Sequence, residues 1–208
     1  MTPSLRVVNY HLTPARAATY DREFAALAAA YAPVTEDSLA AYLTTRHWPH
    51  QKPGVIPVFY NGYRNNYDVA LPLLNKYGLT GWFMVVPGFT DAADQPAFAA
   101  MHNLAITDEY PTRHALSWDE LGHLDRTHVV ASHTRNHSKV SLNDAARLAD
   151  EIEGAQADFV QNLGHKVRSF AWLLGGRYGE NPAADAAVDR AGYEFLFSNL
   201  SLQRLKPR

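Results

Sequence analysis

The chain has 208 residues, a formal net charge of −2 and no cysteine. This length suits one domain, expected to span residues 1–208, and an apolar content of 47% with 19% charged residues excludes disorder. The charge gives no reason to expect nucleic acid or an anionic membrane as partner, and without cysteine there are neither disulfides nor thiolate metal sites. No apolar run reaches the roughly 18–20 residues of a membrane span. The start lacks a basic segment followed by an uninterrupted apolar one. The chain as written is therefore expected to be soluble and cytoplasmic, or exported only if a signal preceded Met1 and was removed.

In chain order, "LRVVNYH" (5–11) reads as a first strand. "TYDREFAALAAAY" places Phe24, Leu27, Ala28 and Tyr31 on one helical face, and "TEDSLAAYLTT" opens with Thr35 as N-cap. "GVIPVFY" (54–60) is the next strand, and its Asn61-Gly62 is not read as a hairpin because "YRNNYD" lacks a second strand's alternation. The helix "NYDVALPLLNKYG" follows, with Pro72 tolerable only in its first turn and Gly78 as its stop. "TGWFMVVPG" is another buried strand, and 89–115 reads as a long loop with little periodicity. "SWDELGHL" carries a capping box, Ser117 with Glu120, before the strand "HVVASH". The clearest helix is 141–164, followed by a strand "VRSFAWLL" (167–174), a helix "NPAADAAVDRAG" and a last clear strand "YEFLFSN". Short apolar runs alternating with helical segments predict an α/β fold with parallel strands.

The strongest local constellation is "ASHTRNHSKV", with His133 and His137 four apart directly after a strand. On a helical turn that spacing puts both imidazoles on one face, able to share a metal ion; a polar loop with ordinary histidines is the alternative. A position at a strand's carboxyl end favours a site, because ligands in parallel α/β folds bind there. His11, at the end of the first strand, is placed to reach the same cavity or to be a structural histidine.

These pieces resemble the polysaccharide deacetylase family (NodB homology, a carbohydrate esterase type). "VFYNGY" stands in the phrase where that family reads T-F-D-D-G-Y, "SHTRNH" matches H-[ST]-x-x-H, and "RSFAWLLGGRYG" resembles F-A-Y-P-Y-G, collinear from about residue 5 to 205. The resemblance implies a distorted (β/α) barrel with a divalent ion, often zinc, at the carboxyl end of its strands. It also implies N-acetylated glucosamine polysaccharides or oligosaccharides as partners and hydrolysis of their N-acetyl groups.

Carried over residue by residue, His133 and His137 match the two ligand histidines. Asn61 falls where the ligand aspartate belongs, and a neutral amide oxygen is a weaker ligand. Tyr60 falls where the base belongs, and a phenol with a reference pKa of about 10 is a poor base. Trp172 and Leu174 replace the tyrosines of the third motif and, with Tyr63, are candidates to contact substrate. No histidine follows His165, so the family's late histidine motif is missing from the sequence as given; either the chain is shortened or another group would donate the proton. With these components altered together, the resemblance implies a deacetylase-like protein of weak or no standard activity. The alternatives are a non-catalytic glycan- or partner-binding protein on the same fold, or a weakened metal site serving another hydrolytic reaction.

Overall fold

The computed structural model describes residues 5–13, 17–109, 113–138, 144–199 and 201–205. Among the described residues, eight strands form one sheet: β1 (Leu5–Tyr10), β2 (Ala32–Pro33), β3 (Gly54–Asn61), β4 (Trp82–Val85), β5 (Val129–Ser132), β6 (Ser169–Ala171), β7 (Phe195–Ser198) and β8 (Ser201–Arg204). The order is β1-β3-β4-β5-β6-β7-β8, parallel until β8, which returns antiparallel on β7. Strand β2 pairs with the start of β3 and β4 with its end. The sheet curls into a nearly closed, barrel-like wall with helices outside it, as expected of a distorted (β/α) barrel.

Two-residue alternation explains why the strands read as continuous apolar runs: both faces are buried. One face, with Val55, Phe59, Phe83, Val85, Val130 and Phe170, packs against the helices α1 (Ala17–Ala30), α2 (Glu36–Thr45) excepted. The other face, with Ile56, Val58, Tyr60, Trp82, Met84 and Phe197, packs on itself inside the barrel. Helix α2 belongs to this inner face: Leu39 and Tyr42 join it, Ser169 Oγ donates to Glu36, and Arg204 donates to the Ala40 carbonyl. It therefore lies across strand starts and closes the amino-terminal end, leaving the carboxyl end open.

The caps explain where the helices begin. Thr35 and Ser117 each form a reciprocal capping box, with Ser38 and with Glu120. Helix α3 (Leu71–Tyr77) continues directly from a π turn, Asn66–Ala70, and Pro72 sits at that junction, just after the Leu71 N–H that bonds back to the Asn66 carbonyl. The segment read as a loop, 89–115, contains the end of α4 (Pro87–Asp91) and all of α5 (Gln95–Met101). Elements of five and seven residues are too short to show a period, although Asp94 caps α5 by accepting from Ala97 N.

Helix α6 (Trp118–Leu124) leads to β5. The long helix read at 141–164 is α7 (Ala145–Ala149), a π turn (Asp150–Gly154) and α8 (Ala155–Leu163); residues 141–143 lie outside the described residues. The strand read at 167–174 is shorter, because after Ala171 the chain turns into a 3₁₀ segment, Leu173–Gly175. Helix α9 (Pro182–Ala191) is capped by Asn181 and stopped by Gly192, as its sequence predicts. Among the described residues no helix is long and apolar enough to cross a membrane.

Candidate active site

Strands β1, β3, β5, β6 and β7 bring their carboxyl ends to one cavity of about 530 Å³. Strand β1 brings Asn9 and His11 to it, β3 brings Tyr60 and Asn61, and the turn after β5 brings His133 and His137. Trp172 and Leu174 enter after β6, Asn199 after β7, and Tyr63 from just beyond β3. All the residues singled out in the sequence thus share one space. Asn9, Asn103 and Asn199 also line it without any motif to announce them; position at a strand end was the one available signal for Asn9 and Asn199.

The two histidines are held by their backs. His133 Nδ1 donates to the Ala171 carbonyl at 2.9 Å, and His137 Nδ1 donates to the His102 carbonyl at 2.8 Å. Each ring therefore carries its proton on Nδ1 and keeps an Nε2 lone pair, the form a metal ligand needs. Their ring centres lie 5.3 Å apart. Burial, with the neighbouring His137 as a smaller cause, pushes the His133 imidazole down to about 3. Burial also lowers His137, so both rings are neutral at neutral pH. The spacing of four works here without the helical turn expected from it: the segment is irregular, with Thr134 (φ 62°) and His137 (φ 55°) left-handed.

The β3 rim is different. Tyr60 lies between His11, stacked at 5.2 Å, and His133, edge-on at 5.1 Å. Its hydroxyl donates to the Asn199 carbonyl at 3.3 Å, and burial pushes its pKa up to about 12. Asn61 ends the strand opposite Val85 with φ 76°. Its Nδ2 donates to the Tyr63 hydroxyl at 3.2 Å, while its Oδ1 is buried without a hydrogen-bond partner. Tyr63 also accepts from Ala105 N at 3.0 Å, so this phenol fixes which way the amide points.

Trp172 is buried edge-on to Phe170, and its backbone N–H donates to the Phe197 carbonyl. Leu174, in contrast, is 75% exposed and left-handed (φ 52°). Among the described residues, five of the seven non-glycine residues with positive φ line the cavity: Asn61, Asn103, His137, Leu174 and Asn199. Such backbone is costly and collects at functional sites.

His11 faces the cavity with no hydrogen-bond partner among the described residues, and partial burial lowers its pKa. The loop that carries it is tied down two residues later, where Thr13 N donates to Asn65 Oδ1 and Thr13 Oγ1 to Asn66 Oδ1. Two free Nε2 atoms and one orphaned amide oxygen fit a divalent ion in donor type. Charge fits less well, because no carboxylate lines the cavity and no group of three His, Cys, Asp or Glu able to hold a metal occurs among the described residues.

Residues 49–196 match the family model for polysaccharide deacetylase. The chain belongs to the polysaccharide deacetylase family. This family is generally metal-dependent. No curated protein sequence matches the chain. Among solved structures, the Streptococcus pyogenes deacetylase PplD in complex with acetate superposes with a TM-score of 0.71 at 17% identity, over 92% of this chain and 82% of that one. A de-N-acetylase from Aggregatibacter actinomycetemcomitans gives 0.70 at 18% identity, over 96% and 90%. IcaB from Ammonifex degensii gives 0.67 at 20% identity, over 94% and 84%. At these identities the superpositions establish the deacetylase fold.

Proposed function

We propose that this chain binds N-acetylated glucosamine-containing glycans in the cavity and removes acetyl groups slowly, with a divalent ion, zinc in the first place, held by His133, His137 and weakly by Asn61. The observation that carries this reading is the contrast within one cavity: two imidazoles keep Nε2 free, whereas the Tyr60 hydroxyl is turned to the Asn199 carbonyl and stays protonated. When bound, the ion would polarise the N-acetyl carbonyl and acidify water. The chain's own groups do the rest. The neutral His11 imidazole takes a proton from the attacking water and returns it to the leaving amine, a role open to an imidazole that is neutral at working pH and faces the cavity. Tyr60 contributes a ring wall rather than a base, and Trp172, Leu174 and Tyr63 shape the space for the sugar.

Acetate release from N-acetylglucosamine oligomers, with added zinc or cobalt and after chelation, tests the reading. Wild type should show slow, chelator-sensitive turnover. The double substitution Tyr60→Asp with Asn61→Asp should raise both metal affinity and rate, by roughly the 10²- to 10⁴-fold that a base is worth. Oligomer binding with no turnover in either protein would replace this reading by the non-catalytic one.

A further inference from the structure

Behind the β5 turn stands a carboxylate that does not itself line the cavity. Glu151 is 4% exposed and lies in the π turn Asp150–Gly154. Its Oε2 accepts from Asn136 N at 2.8 Å, its Oε1 accepts from Asn136 Nδ2 at 3.0 Å, and its backbone carbonyl accepts from Arg135 N at 2.9 Å. One residue therefore holds three N–H groups of the two positions that immediately precede His137. A π turn shifts backbone and side-chain directions relative to an α-helix, which is why such turns recur behind functional sites.

The clamp is reinforced from two sides. Arg135 donates to both oxygens of Asp158 at 2.7 and 2.9 Å and to Asp150 at 2.6 Å, and its carbonyl accepts from Gly88 N at 2.8 Å. Gly88 has no room for a side chain: a Cβ there would come within 2.5 Å of Asn136 Oδ1 and 2.7 Å of Arg135 O. The Arg135–Asn136 segment is thus pinned between α4 and the α7–α8 unit.

We infer that Glu151 is the positioning residue for His137: by fixing Asn136 at backbone and side chain, it holds His137 in its left-handed conformation and aims Nδ1 at the His102 carbonyl, leaving Nε2 toward the cavity. Glu151 touches neither cavity nor ligand and acts through Asn136. The relevance of this to metal binding rests on the function proposed above; the positioning itself does not.

The experiment uses the metal-free protein first. Imidazole nitrogen NMR reports the tautomer of each histidine, and wild type should show a single Nδ1–H form for both His133 and His137. In Glu151→Gln the new amide presents donors to the Asn136 amide, so the clamp loses one bond; His137 should become a tautomer mixture while His133 keeps its form. Adding Asn136→Asp to Glu151→Gln recreates a complementary donor and acceptor, and should restore the single His137 form. Glu153→Gln, in the same π turn but paired with Arg190 on the surface, should leave both rings unchanged. A wild-type His137 tautomer in Glu151→Gln would overturn the inference, as would a matching change in His133, which would signal general loosening.

Cobalt titration then separates the two proposals. If wild type binds cobalt, Glu151→Gln should bind about 10- to 100-fold more weakly, the usual effect of removing an outer partner. If wild type binds none, the metal-dependent reading fails, while the tautomer result still decides the role of Glu151.

Discussion

The two rims of the cavity are built to different standards. On the β5 side each imidazole has its Nδ1 committed to a backbone carbonyl, and the turn between them is braced by Glu151, Arg135 and a glycine with no space to spare. On the β3 side Asn61 leaves an oxygen unpaired, and Tyr60 spends its hydroxyl on a carbonyl of the opposite loop. At the first rim the protein leaves both Nε2 lone pairs uncommitted, whereas at the second Tyr60 is satisfied by the protein itself.

The strongest test of that contrast is His133→Ala, which should weaken cobalt binding by more than the roughly 100-fold limit of an outer partner. An unchanged titration would mean the rim is structural after all. His11→Gln should lower residual acetate release by about 100-fold and leave cobalt affinity unchanged, separating proton transfer from metal holding. With His11 intact, activity should be present above its lowered pKa and disappear as the pH falls through it, because the neutral ring is the working form. A rate that instead grows on acidification would remove His11 from the mechanism.

Tyr60→Phe should change turnover by no more than about twofold and cost about 1 kcal/mol of stability, the worth of one hydrogen bond, measured by denaturant unfolding. A large loss of activity would show that the phenol takes part after all. Leu174→Gly should stabilise by about 0.5–1 kcal/mol through relief of its left-handed backbone, with the rate of substrate turnover reporting whether the side chain matters.

An effect on stability alone, away from the cavity, is expected at the opposite end of β5. His128 accepts from Gly81 N and pairs with Asn75 Oδ1, and burial holds it down to about 4. Its folded pKa lies below its unfolded value near 6.5, so the stability it supports is complete above pH 6.5 and is lost as the pH falls toward 4. His128→Gln should flatten the stability–pH slope in that window by about 1.4 kcal/mol per pH unit, one proton's worth. This would distinguish a histidine kept neutral for the fold from the pair facing the cavity.

Much of the architecture was legible because burial on both sheet faces leaves a direct trace. Ile56 and Val58 turn inward, Val55 and Phe59 turn outward, and the run is apolar throughout. Caps at Thr35, Ser117 and Asn181 were equally plain, since their side chains bond within three residues. Helices α4 and α5 were not, being too short for a period. Strand β8, "SLQR", has no apolar alternation and is ordered by its pairing with β7. The location of the cavity was legible in His133 and His137, which line it, but its wiring was not. That Tyr60 would reach Asn199, 139 residues away, or that Glu151 would hold Asn136, depends on how the barrel curls and on π turns that have no sequence signature.

The left-handed backbone at Asn61 has a consequence for how such a site changes hands over generations. Asparagine and aspartate are both among the few residues that tolerate this conformation, and in the genetic code their codons differ by a single base. Tyrosine codons are likewise one base from those of aspartate. A carboxylate could thus enter or leave the end of β3 at either position in one mutational step, without asking the main chain to move.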